Sequence, residues 1–423
     1  MYVYVLSQNG QPLMPTSRCG KVKRLLKTNR AKVVKRCPFT IQLLYDTTAY
    51  TQDITLGVDT GSKTIGLSAT TKTKILYESE VMLRNDIVKL ISERRELRRT
   101  RRSRKTRYRP PRFQNRKKSK RKGWLPPSVL QKIHTHLKAI QDIHNILPVN
   151  KIIIEIANFD IQKIKNPNTQ VLDYCHGDLY GFENVRQYVF WRDHYTCQCC
   201  FGKSKDPKLK THHIESRKTG GNVPNNLVAL CETCHDKYHK GLIQLPKRIQ
   251  RGIKFNDTAF MNILNSRIYE ELKQKYPNVE TTYGYITKTL RIENNLPKAH
   301  YIDARLISGN VLTQKQNTVY IMKKIRCHDR KLHKPKPKKN NQRVNWQLPY
   351  QVHGFRQHDK VLYNKQTGFI TSRRKTGTFT IRNIYGIKIK EPTYKKLKFL
   401  ETRKPYITQM FPLNASNEVP TSD

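Results

Sequence analysis

Two pairs of cysteines, each pair separated by two residues, constrain this chain more than any other feature. The pairs are Cys197 with Cys200 and Cys231 with Cys234. Four thiolates at these spacings form the tetrahedral ligand set of a structural zinc ion. Zinc would then link segments that carry too little apolar surface to fold alone. The spacing therefore predicts a small domain held by Zn²⁺, and Cys199 belongs to neither pair.

Polar residues between and after the cysteine pairs distinguish this segment from a zinc ribbon that only binds a partner. His212 and His213 follow the first pair, Asn226 precedes the second, and His235 and His239 follow it. Histidine has a near-neutral pKa, suited to a general base, and it is a common metal ligand. His239 lies one helical turn after His235, which leaves open whether both point at one ion.

This pattern resembles the HNH endonuclease motif, whose ββα-metal fold hydrolyses phosphodiesters with one magnesium ion. The resemblance implies that His213 is the general base that takes a proton from the attacking water. It also implies that His212 and His235 hold the Mg²⁺ ion. Asn226 matches the residue that fixes the active loop and the imidazole of the base. The alternative for any single histidine is a solvent-facing or zinc-supporting role.

Acidic residues also occur in three apolar segments that lie far apart in the sequence. Asp59 is in the strand predicted at 54–59, and Glu155 is near the end of the strand predicted at 151–156. His300 and Asp303 lie three residues apart in a predicted helix. A buried carboxylate is costly unless it is paired or ligates a cation, so these acids predict metal ligands. Each acid alone also fits an ordinary structural role.

Together these segments resemble the split RuvC nuclease core, an RNase H-like fold in which Asp, Glu and Asp hold two magnesium ions. The resemblance implies that Asp59, Glu155 and Asp303 are the ligands. His300 stands in the place of the family's catalytic or ligand-supporting histidine. Two cations suit phosphodiester hydrolysis without a covalent intermediate. The HNH-like segment lies between the second and third RuvC-like segments.

An arginine-rich stretch connects the first two of these segments. From Arg94 to Lys122 there are 12 Arg and 5 Lys against one acid across 29 residues. Guanidinium groups bind phosphates in a bidentate manner, which favours a structured RNA partner over a merely solvated helix face. The stretch resembles the bridge helix of RNA-guided nucleases. The residues expected to contact nucleic acid are Arg94, Arg95, Arg98, Arg99, Arg101, Arg102, Arg104 and Arg107.

The N-terminal segment carries the tetrad Pro12-Leu13-Met14-Pro15. It matches the namesake motif of the PLMP domain, which begins proteins of the IscB family. These are transposon-encoded, RNA-guided nucleases of RuvC and HNH build, related to type II CRISPR effectors. The resemblance covers about residues 1–310. Within them the parts follow the order of the family: PLMP domain, first RuvC segment, bridge helix, second RuvC segment, HNH domain and third RuvC segment.

The C-terminal segment predicts a basic β-rich domain, with a hairpin over 368–382 and a further strand after Gly386. It resembles the region of the family that reads a short motif beside the target. We expect Arg373, Arg374 and Arg382 to contact bases or phosphates, because Arg reads guanine edges well. The alternative is that these residues contact only the guide RNA backbone.

Composition agrees with a nucleic-acid partner, since the formal net charge is +51 over 423 residues. No stretch predicts a membrane span or a signal peptide. Nine cysteines, four of them assigned to zinc, fit a reducing compartment, which is the cytoplasm or nucleoid of a bacterium or an organelle.

The fold class expected is α/β and multi-domain: a split RNase H-like RuvC core with an inserted ββα-metal HNH domain, a bridge helix, a PLMP domain and a basic β-rich C-terminal domain. The expected segments are PLMP 1–53, RuvC I 54–83, bridge helix 84–123, RuvC II 124–180, HNH 181–248, RuvC III 249–312, the basic β-rich domain 313–412 and a disordered tail 413–423.

The function expected is RNA-guided cleavage of double-stranded DNA by a monomeric ribonucleoprotein that holds a structured noncoding guide RNA. By analogy with the family, the HNH site cuts the guide-paired strand and the RuvC site the displaced strand. The alternatives are a homing-type HNH endonuclease guided by protein contacts, and an RNA-guided DNA-binding protein that does not cleave.

Overall fold

The computed structural model describes residues 2–102, 123–156, 179, 182–252, 256–311, 318–326, 336–337, 343–344 and 348–412. Two compact units divide the chain. The first joins Met1–Ala157 to Met261–Asp423, and the second is Asn158–Phe260. None of the described helices combines the length and the apolar character that crossing a bilayer requires.

Strands and helices alternate along the described residues in a mixed α/β arrangement. The strands are β1 (Val3–Leu6), β2 (Pro12–Thr16), β3 (Ala31–Lys35), β4 (Thr40–Leu43), β5 (Thr55–Asp59), β6 (Thr64–Thr70), β7 (Ile75–Met82), β8 (Lys151–Glu155), β9 (Leu209–His213), β10 (Leu227–Cys231), β11 (Val279–Thr282), β12 (Thr318–Lys324), β13 (Lys336–Pro337), β14 (Arg343–Val344), β15 (Lys360–Tyr363), β16 (Gln366–Arg373), β17 (Phe379–Arg382), β18 (Lys388–Lys390), β19 (Lys398–Glu401) and β20 (Tyr406–Pro412). The helices are α1 (Cys19–Lys27), α2 (Ile87–Arg102), α3 (Pro127–His144), α4 (Val185–Arg192), α5 (Arg217–Gly220), α6 (Glu232–His239), α7 (Asn256–Lys275), α8 (Gly284–Glu293) and α9 (His300–Ile307), and short 3₁₀ turns occupy Pro224–Asn226 and Tyr394–Lys396.

A seven-stranded sheet forms the centre of the first unit, in the order β11-β8-β5-β6-β7-β12-β20. Strands β5, β6 and β7 form an antiparallel meander, and β8 and β11 add beside β5 in parallel. Strand β6 is buried along its whole length, which agrees with its continuous run of small and apolar residues. Segments from very different parts of the sequence therefore meet at neighbouring strands.

Helix α9 packs against β5 and β6 at very short range. A Cβ atom added at Gly57 would lie 1.9 Å from the carbonyl oxygen of Ala304, and one added at Gly66 would lie 1.9 Å from that of His300. Glycine is therefore required at both positions for the helix backbone to approach the sheet this closely. Arg305 of α9 forms a buried ion pair with Glu78 of β7, the next strand of the same sheet, with Nε 2.7 Å from Oε1.

Three smaller sheets lie among the described residues of the first unit, one of them the two-stranded pair of β13 and β14. The N-terminal sheet has the order β2-β1-β4-β3 and packs its apolar face against Val22 of α1. Near the C-terminus, β18-β17-β16-β15-β19 form an antiparallel sheet around Ile370 and Phe379. This five-stranded sheet contains the hairpin that the sequence predicts.

The second unit contains a hairpin of β9 and β10, followed directly by α6. Val189 of α4 is buried against Leu227 and Ala229 of β10. The carboxylate of Asp193 accepts a hydrogen bond from the main-chain N–H of Ala229, at 2.8 Å. These contacts fix the hairpin to α4, and the apolar core they form is small.

We expect Gly66→Ala to lower the free energy of unfolding of the first unit by about 1–3 kcal/mol, because the new methyl group overlaps the backbone of α9. Gly20→Ala is the matched control, since a Cβ at that helical position meets no atom within 4 Å. Calorimetric unfolding of both variants measures the difference. Equal stability of the two variants would contradict the close approach of α9.

Candidate functional site

Two acidic side chains lie at the same edge of the seven-stranded sheet. Asp59 ends β5 and Glu155 ends β8, and these parallel strands pair in register, with Val58 opposite Ile154. Because adjacent parallel strands place their carboxyl ends at one edge, the two carboxyl groups are neighbours. Asp59 is buried and Glu155 is partly buried.

Helix α9 brings the third segment to the same edge. The Nδ1 atom of His300 lies 2.6 Å from Oδ2 of Asp59. Asp303, one helical turn further on, forms an ion pair with Arg291 of α8, with Nε 3.1 Å from Oδ1. Asp59, Glu155, His300 and Asp303, which we call the carboxylate cluster, thus meet although 244 positions separate the first from the last.

The electrostatics of the cluster suit a bound cation. Burial and the nearby charge of Asp59 raise the pKa of Glu155 to about 7. The same two causes raise the pKa of Asp303 to about 6, against the lowering effect of Arg291. Burial lowers the pKa of His300, but the hydrogen bond to Asp59 and the charges of Asp59, Glu80 and Asp303 together outweigh burial, and the net shift is upward. A divalent cation would relieve the repulsion among the acids.

Two residues that the sequence reasoning missed support this cluster. Glu80 of β7 accepts hydrogen bonds from the main-chain N–H groups of His300 and Tyr301, at 2.9 and 3.4 Å, and so caps α9. Arg291 is the other. Glu80 was detectable, because an acid within the apolar run of β7 meets the criterion that selects Asp59 and Glu155. Arg291 carries no comparable signal.

The four predicted zinc ligands come together in the second unit. The Sγ atoms of Cys197, Cys200, Cys231 and Cys234 all lie within 4.8 Å of one another. Cys231 ends β10 and caps the N-terminus of α6, and its Sγ accepts a hydrogen bond from the N–H of Cys234 at 3.4 Å. Four sulfur atoms in this arrangement fit a tetrahedral Zn²⁺. Cys199 is not part of the set.

Three histidines of the same unit form a second cluster. His212 on β9 and His235 and His239 on α6 each offer a ring nitrogen, and these atoms lie within 4.8 Å of one another. His239, which the sequence left open, belongs to the set, with its Nε2 3.3 Å from that of His235. Burial, and then the neighbouring His235 and His239, lower the pKa of His212 to about 4. Neutral imidazoles are the form that ligates metal.

His213 is held differently from the prediction. Its Nε2 lies 2.8 Å from Oδ1 of Asn222, and not against Asn226. Asn226 is fully buried and bonds the backbone of the preceding loop, donating to the carbonyls of Glu215 and Gly221 and accepting from the N–H of Glu215. The expected contact of Asn226 with the imidazole is therefore wrong, because its amide is already used by the loop.

The predicted nucleic-acid contacts differ in accessibility. Arg94, Arg95, Arg98 and Arg99 are exposed on α2. Arg101 and Arg102 end that helix, but their side chains, like all of Arg104 and Arg107, lie outside the described residues.

In the C-terminal sheet, Arg374 is exposed, with Nη2 3.7 Å from a carboxylate oxygen of Glu391. Arg382 donates to the carbonyl of Gly386 at 2.6 Å. Arg373 is buried and donates to the carbonyls of Tyr350 and Phe355, at 2.6 and 3.0 Å. The prediction that Arg373 contacts nucleic acid is therefore wrong, since its guanidinium holds a neighbouring loop.

Known families match both units. Residues 3–177 match the family model of the RRXRR protein, and residues 197–241 match that of the HNH endonuclease. Together with the two clusters, these two matches support an endonuclease of the IscB-like RuvC and HNH type.

Individual proteins are similar over smaller parts of the chain. A stretch of 67 residues, 16% of this chain, is 30% identical to the protein named anaredoxin from Nostoc sp. and covers 86% of it, so this stretch is homologous to that protein. Crystal structures of Streptococcus thermophilus Cas9 in complex with the AGAA and GGAA PAMs are 13% and 12% identical, with a TM-score of 0.31 for each. They cover 44% and 50% of this chain, which spans only 26% and 30% of those Cas9 chains.

We expect Cys231→Ser to remove most of the bound zinc, because three thiolates no longer complete the tetrahedral set. Cys199→Ser is the matched control and should retain the metal. Inductively coupled plasma mass spectrometry of dialysed full-length protein measures the zinc content. Full zinc occupancy in Cys231→Ser would contradict the assignment of the four ligands.

We expect the carboxylate cluster to bind divalent cations more tightly as the pH rises through about 6–7. The raised pKa values of Glu155 and Asp303 mean that protons must leave before the oxygens can ligate. Below these values the affinity should change about tenfold per pH unit for each proton released. Mn²⁺ titration followed by electron paramagnetic resonance measures binding, and the difference between the unsubstituted protein and Asp59→Asn isolates this cluster. If the difference in Mn²⁺ binding between the two proteins does not change with pH, cation binding is not coupled to proton release from these acids.

Proposed function

We propose that this protein is an RNA-guided endonuclease that cuts both strands of double-stranded DNA with two separate sites. The observation that carries the proposal is the convergence of Asp59, Glu155, His300 and Asp303 from three distant segments. Several buried or partly buried acids gathered at one edge of a sheet are costly, and cation binding gives the arrangement a use. The histidine and cysteine clusters of the second unit supply an independent site.

The seven-stranded sheet serves as the RuvC core. Its antiparallel meander, extended by two parallel strands beside β5, is the arrangement expected of an RNase H-like fold. Asp59, Glu155 and Asp303 offer carboxylate oxygens, the ligands that Mg²⁺ prefers, and bound cations would supply charge stabilisation at the scissile phosphate. His300 orients the Asp59 carboxylate through their hydrogen bond and carries the proton between them.

In the HNH site, His213 acts as the general base. The oxygen of Asn222 accepts the Nε2 proton of His213, which leaves Nδ1 free to take a proton from water. Asn226 keeps the adjoining loop in place through its three backbone hydrogen bonds. The general base is thus fixed in both orientation and tautomer before substrate arrives.

His212, His235 and His239 hold the divalent ion of this site. Three nitrogen ligands suit a transition-metal ion such as Mn²⁺ better than Mg²⁺, which prefers oxygen. The Mg²⁺ expected at His212 and His235 from the sequence therefore fits the observed ligand set less well than it fits the carboxylate cluster. The four cysteines hold a structural Zn²⁺.

The exposed arginines of α2 bind the guide RNA. The four exposed guanidinium groups of α2 outnumber the two acids of that helix, Glu93 and Glu96, and the whole chain carries the same imbalance. Phosphates of a structured RNA provide the missing charge. The guide then pairs with one DNA strand, the HNH site cuts that strand, and the RuvC site cuts the displaced strand. We propose that one protein chain and one RNA form the active particle.

We expect His213→Ala and Asp59→Ala each to convert linear plasmid product into nicked circles, with the nicks on opposite strands. Each substitution removes the chemistry of one site and leaves the other intact. Tyr50→Ala, at a surface position, is the control and should still linearise the plasmid. Strand-specific primer extension, with the RNA that copurifies, maps the cuts. Linear product from both site variants would contradict the assignment.

Digestion of the copurified RNA tests guidance separately. Specific cutting should disappear after ribonuclease treatment and return when the same RNA is added back. Specific cutting that survives treatment would indicate a homing-type HNH endonuclease that finds its target by protein contacts.

A further inference from the structure

Two exposed tyrosines, Tyr283 and Tyr285, lie side by side at the start of α8. Tyr283 is 53% exposed and Tyr285 is 69% exposed. Their ring centroids are 6.0 Å apart and their planes differ by 16°. Two nearly parallel aromatic rings held in water form a surface with free π-faces, which we call the tyrosine pair. Contact with water does not stabilise this arrangement, because exposing large aromatic rings to water is unfavourable.

The tyrosine pair is adjacent to the carboxylate cluster. Thr282, which precedes Tyr283, pairs in register with Glu155. Between the tyrosines, Gly284 lies so close to that acid that an added Cβ would be 2.7 Å from Oε1 of Glu155. Thr287 in the next turn is buried and forms a side-chain hydrogen bond with Glu155. The backbone that carries the two rings is therefore fixed to a member of the cluster.

The chemistry of the pair selects one class of ligand. A flat aromatic face stacks on a nucleobase, and this contact is tolerant of sequence because every base has a π-face. Bases within a duplex are already stacked on their neighbours, so the pair would recognise unpaired bases. Lys288, one turn along α8, is exposed and offers a cation for the phosphates of the same strand.

We propose that Tyr283 and Tyr285 stack on unpaired bases of the DNA strand that enters the carboxylate cluster. The inference deepens the proposed function and rests on it, because that function supplies a displaced, single-stranded DNA at this site. Stacking fixes the bases of that strand and so limits the movement of the phosphate beside the acids. The tyrosines are positioning residues for the RuvC site and have no role at the HNH site.

Photocrosslinking to the full-length protein tests the contact directly. The probe is an oligodeoxythymidylate that carries one 5-iododeoxyuridine, irradiated at high ionic strength to weaken purely electrostatic binding. We expect tandem mass spectrometry to find the crosslink on Tyr283 or Tyr285. Crosslinks confined to other residues, with these two tyrosines unmodified, would overturn the proposal.

Substitutions separate stacking from a structural role. Tyr285→Ala should reduce the crosslink yield and the affinity for the oligonucleotide by about 10-fold, and Tyr285→Phe, which keeps the ring, should restore both. Tyr50→Ala, at a residue that is 87% exposed, is the matched control and should change neither. A change in Tyr285→Ala that Phe fails to restore would overturn the proposal. So would unchanged oligonucleotide binding with an altered oligomeric state, since that result identifies a protein contact.

Plasmid cleavage distinguishes failure of this inference from failure of the proposed function. In Tyr285→Ala, nicking of the displaced strand should slow by about 10-fold while nicking of the guide-paired strand is unchanged. Crosslinks on the tyrosines without any cleavage would argue against the proposed function alone. Equal rates on both strands, in a protein that cleaves, would argue against the tyrosine pair alone.

Discussion

The close approach of α9 to the glycines of β5 and β6 is the constraint on which the first unit depends. With any side chain at Gly57 or Gly66, the helix backbone would have to move outward from the sheet. His300 could then no longer reach Asp59 with a 2.6 Å hydrogen bond. Glu80, which caps the first turn of α9, fixes the rotation of the helix as well as its distance.

Several acidic side chains are buried around this contact between α9 and the sheet, and burying them costs free energy. Burial raises the pKa of Glu78 to about 7 against the lowering effect of Arg305, and it also raises the pKa of Glu80. Burying acids is unfavourable unless each finds a donor or a cation. Glu78 and Glu80 find theirs within α9, whereas Glu155 is left beside Asp59 without a cationic partner among the described residues. Acids with a partner in α9 therefore stabilise the fold, whereas an acid without such a partner is available to bind a ligand.

The sequence predicts most of what depends on spacing and alternation. The cysteine pairs, the strands ending at Asp59 and Glu155, and the pair His300 and Asp303 all follow from local patterns. Contacts made by loops do not, because they depend on backbone paths that no periodicity describes. The imidazole of His213 meets Asn222 and not Asn226 for this reason, although both amides stand in the same short segment.

The arginines of the C-terminal sheet also show contacts that the sequence alone does not predict. Arg373 and Arg374 are neighbours in sequence and identical in chemistry, yet Arg373, the last residue of β16, is buried and Arg374, just beyond the strand, is exposed. Only the backbone path at the end of β16 decides which guanidinium group reaches solvent. Composition alone, in which both count equally, cannot make that distinction. The exposed arginines of α2 are a simpler case, because that helix has little apolar surface to bury.

The wide sequence separation within the carboxylate cluster has a consequence for synthesis of the chain. Strands β5 and β8 are made before the second unit, but β11, which pairs with β8, and the helix α9 follow only after the second unit has been translated. The outer strand β20 pairs with β12 almost at the last described residue. Long-range pairings of this kind form slowly and late. On the ribosome, the nascent polypeptide therefore lacks a complete set of acids until Asp303 has emerged from the exit tunnel, while the cysteine-rich insert can already fold around its metal.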